Sequence, residues 1–373
     1  MKIKNLDKAA KRIQKAVKNK EKIIIYGDSD LDGIASVIIA KEAIINLKGN
    51  IVKICFPKRE QGYGINKESL QGIKKQAPAL LIAFDFGISN FEEVKLANEF
   101  GFEVIIIDHH QILDKLPEPA IIVNPKQTGD KYLFKELAAA GLSYYLALEL
   151  LKNTKSLKNG FLELAALATI SDMMPIEKDN KEIVFQGLDL VYSSWRPGIQ
   201  ALLKVFEKEY GLVKINKINS LLNIRDNTQE YPIAYTLLTC SDKKKAEEIA
   251  KDLFKQSVEK KIKIKDILLD VEERMEKKSL PIVFEGDKSW ELPLLGTVAS
   301  LIANKHSKPV FLYKDKDKIQ GVIRATQGFD VVKAMKQSAD ILKDYGGHAR
   351  AAGFSLDKEN LKKFYNNLIK YYS

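Results

Sequence analysis

The chain has 373 residues, long for one hydrophobic core, so two domains are expected. Its 45% hydrophobic and 29% charged residues are ordinary for a globular protein, and no apolar stretch is long enough to span a bilayer. The 60 Lys and Arg against 49 Asp and Glu, a formal charge of +11, suit polyanionic partners such as nucleic acid or anionic membrane, although lysine-rich surfaces also serve solubility alone.

The opening segment MKIKNLDKAAKRIQKAVKNKEK places Ile3, Leu6, Ala10, Ile13 and Val17 on one helical face. This predicts a helix packed on its own domain, with neither a signal peptide nor a membrane role. Short β-branched runs follow: KIIIY (22–26), IVKICF (51–56), LLIAF (80–84), EVIIID (103–108) and AIIVN (120–124). Helix-like segments such as SVIIAKEAIINLK and FEEVKLANEF separate them, the pattern of a parallel sheet covered by helices. Ligands of such sheets bind beyond the carboxyl ends of the strands. Residues 136–168 read as helical, ATISDMMP breaks the pattern with Asp172 and Pro175, and helix resumes through FQGLDLVYSSW.

From 242 to 280 there is no glycine or proline, and Ala246, Ile249, Leu253, Val258, Ile262, Ile267, Leu268, Val271 and Met275 approximate one stripe. A continuous helix there would be roughly 55 Å long, a natural connector between domains. PIVFEG, PVFLYKD and IQGVIRAT then restore strand character. The expected division is a first domain over 1–240, a connecting helix over 241–280 and a smaller α/β domain over 281–373. Cys55 and Cys240 lie far apart in apolar surroundings, which predicts buried thiols in a reducing, cytoplasmic setting rather than a disulfide or zinc site.

Acids collect at the chain breaks. GDSDLDG carries Asp28, Asp30 and Asp32 at period two behind the first strand, AFDFGISN carries Asp85, IIIDHH carries Asp108 with His109 and His110, and Asp172 follows a helix. Each acid alone reads as a helix cap or turn residue. Brought together they repel one another and raise their pKa values. Carboxylates with imidazole are also the ligand set of paired divalent ions about 3.5–4 Å apart, which would offset that repulsion. Only two other histidines exist, His306 and His348, and neither a Walker loop nor a GxGxxG fingerprint is present.

In that order GDSDLDG, AFDFG, IIIDHH and ATISDMMP resemble the four motifs of the DHH phosphoesterase superfamily. FPKREQGYGINKE, NPKQ, LAAAGLSYYLALEL, SSWRPGIQALL, LGTVASLIANKHSKPV and YGGHARAAGFSL are similar to its RecJ branch, the last to its C-terminal DHHA1 domain. Other branches begin the first motif with histidine where this chain has Tyr26. The resemblance implies an α/β protein, a parallel-sheet DHH domain joined by a long helix to a smaller α/β DHHA1-like domain. It implies that Asp30, Asp32, Asp85, His109 and Asp172 ligate two divalent ions, with Asp85 bridging and Asp28 as a further ligand or supporting acid. His110 would contact the phosphate or orient a ligand. The implied ions are Mn²⁺, favoured by the histidine, or Mg²⁺, and the implied reaction is in-line attack of a metal-activated water on a phosphodiester.

For the substrate, Gly346 and Gly347 of GGHARAAG let the backbone approach a ligand, and His348 and Arg350 add donors; a tight turn between helix and strand explains the glycines equally well. By resemblance this loop faces the metals across a cleft, and Arg59, Arg225 and Arg324 grip a 5′-phosphate. Three departures bear on that pocket: SLLNIR lacks the family's glycines, Val322 replaces a serine, and Glu291 follows Trp290 in place of a histidine. The chain ends at Ser373 without the OB-fold of typical relatives, which predicts weaker hold on long strands, a taste for short oligonucleotides, or a replication or repair partner that supplies grip. The implied activity is 5′→3′ exonucleolytic cleavage of single-stranded DNA to mononucleotides. The alternatives are an oligoribonuclease (nanoRNase), a small-nucleotide or cyclic-dinucleotide phosphodiesterase, or a non-catalytic replication scaffold that would have lost its ligands.

Overall fold

The computed structural model describes residues 2–57, 64–112, 115–151, 155–224, 230–276 and 280–373. The chain divides into two compact units, Met1–Phe254 and Lys255–Ser373.

In the first unit α1 (Leu6–Lys18) leads into β1 (Lys22–Gly27), α2 (Leu31–Asn46) and β2 (Asn50–Cys55). There follow α3 (Lys67–Ile73), β3 (Ala79–Phe84), α4 (Phe91–Glu99), β4 (Phe102–Ile107) and β5 (Ile121–Val123). The five strands pair in parallel in the order β2-β1-β3-β4-β5. The strand side chains alternate between two layers of core. Ile23, Ile25, Leu80, Ile82 and Phe84 pack on one face, with α1 and α2. Ile24, Tyr26, Leu81 and Ala83 pack on the other, with Leu70, Ile73, Val94 and Ala97 of α3 and α4. Every residue of β3 is buried, which is why these strands read as unbroken apolar runs. Ile3, Leu6, Ala10 and Ile13 of the opening segment join the first layer, so the amphipathic helix packs on its own unit.

A helical layer completes this unit: α5 (Ala139–Leu150), α6 (Lys155–Ser171), α7 (Lys178–Tyr192), α8 (Pro197–Val205), α9 (Gly211–Leu222) and α10 (Ile233–Leu238). One buried ion network ties α6 and the start of α8 to α2. Arg196, 1% exposed, donates to both oxygens of Glu42 on α2 at 2.7 Å and to Glu163 on α6 at 3.0 Å. Burial pushes the Glu163 carboxyl up to about 7 even beside this guanidinium. Cys55 and Cys240 are free and half-buried, less enclosed than their apolar neighbours in sequence suggest. No helix among the described residues is long and apolar enough to cross a membrane.

The long helix α11 (Lys243–Glu276) has 34 residues, about 51 Å at 1.5 Å per residue, and the division between units falls within it. The second unit continues with β6 (Val283–Asp287), α12 (Leu292–His306), β7 (Val310–Lys314), β8 (Lys318–Arg324), α13 (Val331–Lys336), β9 (Leu342–His348), β10 (Ala351–Asp357) and α14 (Leu361–Tyr372). Its mixed sheet runs β6-β7-β8-β10-β9, with only β6 and β7 parallel. Val283, Val310 and Leu312 pack on α12 and on Ile267 and Val271 of α11. Phe311, Ile323 and Phe354 pack on α13 and α14 on the opposite face.

Candidate metal centre

Four segments of the first unit carry the acids, each just past a strand or helix end. The Asp28 N–H bonds the Phe84 carbonyl at 3.3 Å, so the β1–β3 ladder runs one residue beyond the strand and holds this acid at the sheet edge. Asp30 caps α2, its Oδ1 accepting the N–H groups of Asp32 and Gly33 at 3.1 Å. Gly33 is needed there: a Cβ would stand 2.5 Å from the Asp28 carbonyl oxygen. Asp32 is buried and accepts the N–H groups of Ala139 and Ala140 at 2.8 Å, a carboxylate set against the positive end of α5.

Asp85 continues the β3–β4 ladder through its N–H to the Ile107 carbonyl at 2.9 Å. Its φ of 66° is left-handed, a conformation that aspartate tolerates better than most residues. That turn leaves the side chain 2% exposed among the other acids. His109 Nε2 lies 3.3 Å from Asp85 Oδ1, 3.5 Å from Asp172 Oδ2 and 3.7 Å from Asp32 Oδ2. Three sets of donor atoms each fall within 4.8 Å of one another: Asp28, Asp30 and Asp85; Asp85, His109 and His110; Asp32, His109 and Asp172. Asp85 and His109 are each shared by two sets.

The electrostatics follow from crowding in a dry site. Burial, then Asp172 and Asp30, raise the Asp32 carboxyl well above its ordinary range despite the two α5 amides. Burial, then Asp32 and Asp30, do the same to Asp85. Asp172 is pushed up to about 6 by burial and Asp30. Burial and the neighbouring His110 hold His109 down to about 4, so it is neutral at physiological pH and able to ligate. Asp172 Oδ2 is buried and has no hydrogen-bond partner among the described residues. Clustered oxygens with one neutral imidazole fit Mn²⁺ or Mg²⁺, and divalent charge is what relieves their repulsion.

Asp108 has a distinct place that the sequence reading left unassigned. Its Oδ1 accepts the His110 N–H at 3.0 Å and bonds His110 Nδ1 at 2.8 Å, while Oδ2 accepts the Ile88 N–H at 3.0 Å. Burial opposes its charge, but these bonds outweigh burial and its carboxyl falls below the ordinary value. Burial likewise opposes charge on His110, and the bond to Asp108 overcomes it, so the imidazole titrates above the usual histidine range. The available signal was local: an aspartate commonly bonds the backbone two residues on. Asn124 of NPKQ donates to the His110 carbonyl at 3.0 Å. Tyr26 is buried, edge-on to Phe86 with its hydroxyl accepting from Asn66.

The remaining nominated residues stand elsewhere. Arg59 and Arg225 lie outside the described residues. GGHARAAG is an antiparallel hairpin of β9 and β10, correcting the expectation of a turn between helix and strand. His348 pairs with Ala351, which pairs with Arg324, so the two side chains flank a small residue on one sheet face. Gly346, His348 and Arg350 are exposed. Gly347 has a φ of 138°, and a Cβ there would meet the Ala351 carbonyl oxygen at 2.4 Å.

Comparison with known proteins agrees with this architecture. The chain matches the DHH family N-terminal domain over residues 22–169 and the DHHA1 domain over residues 279–373. It is 31% identical to the single-stranded-DNA-specific exonuclease RecJ of Bacillus subtilis over 96% of its own length and 46% of that protein's. The chain thus spans about half the length of that curated relative. A crystal structure of exonuclease RecJ bound to manganese superposes with a TM-score of 0.85 at 26% identity, covering 100% of this chain and 95% of that one. RecJ from Thermus thermophilus in complex with Mn²⁺ shares the fold, with a TM-score of 0.76 at 24% identity over 100% of this chain and 55% of that one. With both domains matched in order and RecJ similarity along nearly all its length, the chain belongs to the DHH/DHHA1 phosphoesterase superfamily, in its RecJ-like branch.

Proposed function

We propose that this chain is a metal-dependent phosphodiesterase, a RecJ-like 5′→3′ exonuclease that hydrolyses single-stranded DNA to mononucleotides. The observation that carries it is the meeting of Asp28, Asp30, Asp32, Asp85, His109 and Asp172, from four chain segments, in overlapping donor sets within 4.8 Å. Asp85, whose carboxylate enters two of the sets, is the residue that would lie between two ions, while His109 would offer its single lone pair to one of them. A bound pair of divalent ions, Mn²⁺ or Mg²⁺, supplies charge neutralisation at the phosphoryl oxygens and acidifies the attacking water.

The chain's own residues do the rest. Buried His109 stays neutral and offers a lone pair. Asp108 orients His110 and raises its pKa, which favours the protonated ring as a donor for the negative charge that develops on the phosphate. Gly346, Gly347, His348 and Arg350 are exposed donors of the second unit, with Arg324 half-buried on β8 of the same sheet, and we assign to them contacts with the nucleic acid backbone; to Arg59 and Arg225 of the first unit we assign contacts with the 5′-phosphate. The two free thiols suit a cytoplasmic setting, and a replication or repair protein is the partner class for added DNA grip.

End-labelled single strands test the reading. With Mn²⁺, 5′-phosphorylated DNA is expected to shorten from its 5′ end, faster than the 5′-hydroxyl form and not at all in EDTA. Hydrolysis confined to the shortest oligomers or to dinucleotides favours the oligoribonuclease or small-nucleotide alternative, and Mn²⁺ binding without any hydrolysis favours the scaffold.

A further inference from the structure

We infer that Asn223 is a positioning residue that sets the spacing between two acid-bearing segments of the metal centre, an inference that rests on the metal reading above. Asn223 closes α9, and its amide makes two contacts. Oδ1 accepts the Leu31 N–H at 3.0 Å, and Nδ2 donates to Ser171 Oγ at 2.6 Å. Leu31 opens α2 between Asp30 and Asp32; Ser171 ends α6 immediately before Asp172. One amide therefore joins the segments that bear three of the clustered acids. Its orientation is fixed chemically, since a backbone N–H can only donate and so selects the amide oxygen.

The contact completes the start of α2. Asp30 satisfies the N–H groups of Asp32 and Gly33 through its side chain and that of Ile34 through its carbonyl, at 2.9 Å. The Leu31 N–H is a further group left open at a helix start, and the donor and its acceptor are 192 positions apart. Asn223 is exposed, but the helix it closes is anchored. Ile215, Ile218, Leu221 and Leu222 of α9 are buried, and one turn back Asn219 donates to the Leu167 carbonyl of α6 at 2.9 Å. Positions four apart share a helix face, so both asparagines reach α6 from the same side. The donor atoms of Asp32, His109 and Asp172 stay within 4.8 Å only if α2 and the end of α6 keep their separation.

Calorimetric titration of Mn²⁺ into EDTA-stripped wild type, Asn223→Ala and Ser171→Ala, with a thermal melt of each metal-free protein, tests this. Supporting residues of metal ligands typically contribute 10–100-fold in affinity. Asn223→Ala is expected to bind Mn²⁺ about 10–100-fold more weakly while its metal-free Tm falls by no more than about 4 °C. A purely structural asparagine would lower Tm and leave the affinity of the folded protein alone. Affinity within twofold of wild type overturns the inference whatever the Tm. If Asn223→Ala fails to fold, Ser171→Ala decides: it removes the Nδ2 contact and leaves the start of α2 capped, and unchanged affinity overturns the inference. A wild type that binds no Mn²⁺ overturns the metal reading and this inference with it, whereas a variant matching a Mn²⁺-binding wild type overturns the positioning role alone.

Discussion

Replacing Asp85 by asparagine should stabilise the metal-free protein and abolish its response to metal. Asparagine suits the test because it keeps the shape of the side chain and, like aspartate, tolerates the left-handed φ of 66° at this position. Two unit charges 4.8 Å apart, the outer limit within the set of Asp28, Asp30 and Asp85, repel by roughly 3 kcal/mol at an effective dielectric constant of about 20. The raised pKa of Asp85 means that the metal-free site already relieves part of this by holding protons. The net gain expected for Asp85→Asn is therefore about 1–2 kcal/mol, or ~2–4 °C in Tm for each kcal/mol. Wild type with Mn²⁺ at about 100 times its Kd gains ~2.7 kcal/mol, and the variant gains none. Hydrolysis should fall at least on the order of 10³-fold, since the ions supply several kcal/mol to the transition state. The assay is a thermal melt of both proteins in EDTA and in Mn²⁺. A variant less stable than wild type in EDTA, or one that retains the Mn²⁺ shift, would refute the reasoning.

Other outcomes follow from the same geometry. Below pH 7 Mn²⁺ affinity should climb as pH rises through about 6, where Asp172 titrates, with protons released on binding; calorimetry in buffers of differing ionisation heat reads this directly, and zero release would count against the raised acids. For the same residue the metal-free folded state holds more protons than the unfolded chain between about pH 4 and 6, so stability falls as pH rises across that window, and saturating Mn²⁺ should reverse the slope. Arg196→Ala leaves Glu163 buried and unpaired and should cost about 3–5 kcal/mol in denaturant unfolding, with hydrolysis per folded molecule unchanged. Asp108→Asn should lower the His110 pKa and cut kcat on the order of 10²–10⁴-fold while Mn²⁺ affinity changes little; a pH–rate profile identical to wild type would remove Asp108 from its assigned role.

The sequence displays those parts of this protein that are local. β1, β3 and β4 end at the acids because apolar runs buried on both faces stop abruptly at polar residues, and the first-unit sheet follows from that alternation. The hairpin of β9 and β10 was not legible, since Gly346 and Gly347 depress strand propensity and the pairing of Gly353 with Gly346 that stabilises them is not a local pattern. Asp108 was visible as another strand-end acid, but its bond to the His110 ring depends on how the turn folds. Arg196 with Glu42, and Asn223 with Leu31, join residues 154 and 192 positions apart, and no spacing in a single sequence encodes such partners.

The most direct test of the metal centre is anomalous diffraction from crystals of the wild-type chain grown with Mn²⁺. Two manganese peaks about 3.5–4 Å apart, one beside Asp28, Asp30 and Asp85 and the other beside Asp32, His109 and Asp172, are expected. Full occupancy elsewhere on the chain, or no peak among these carboxylates at saturating Mn²⁺, would contradict the assignment.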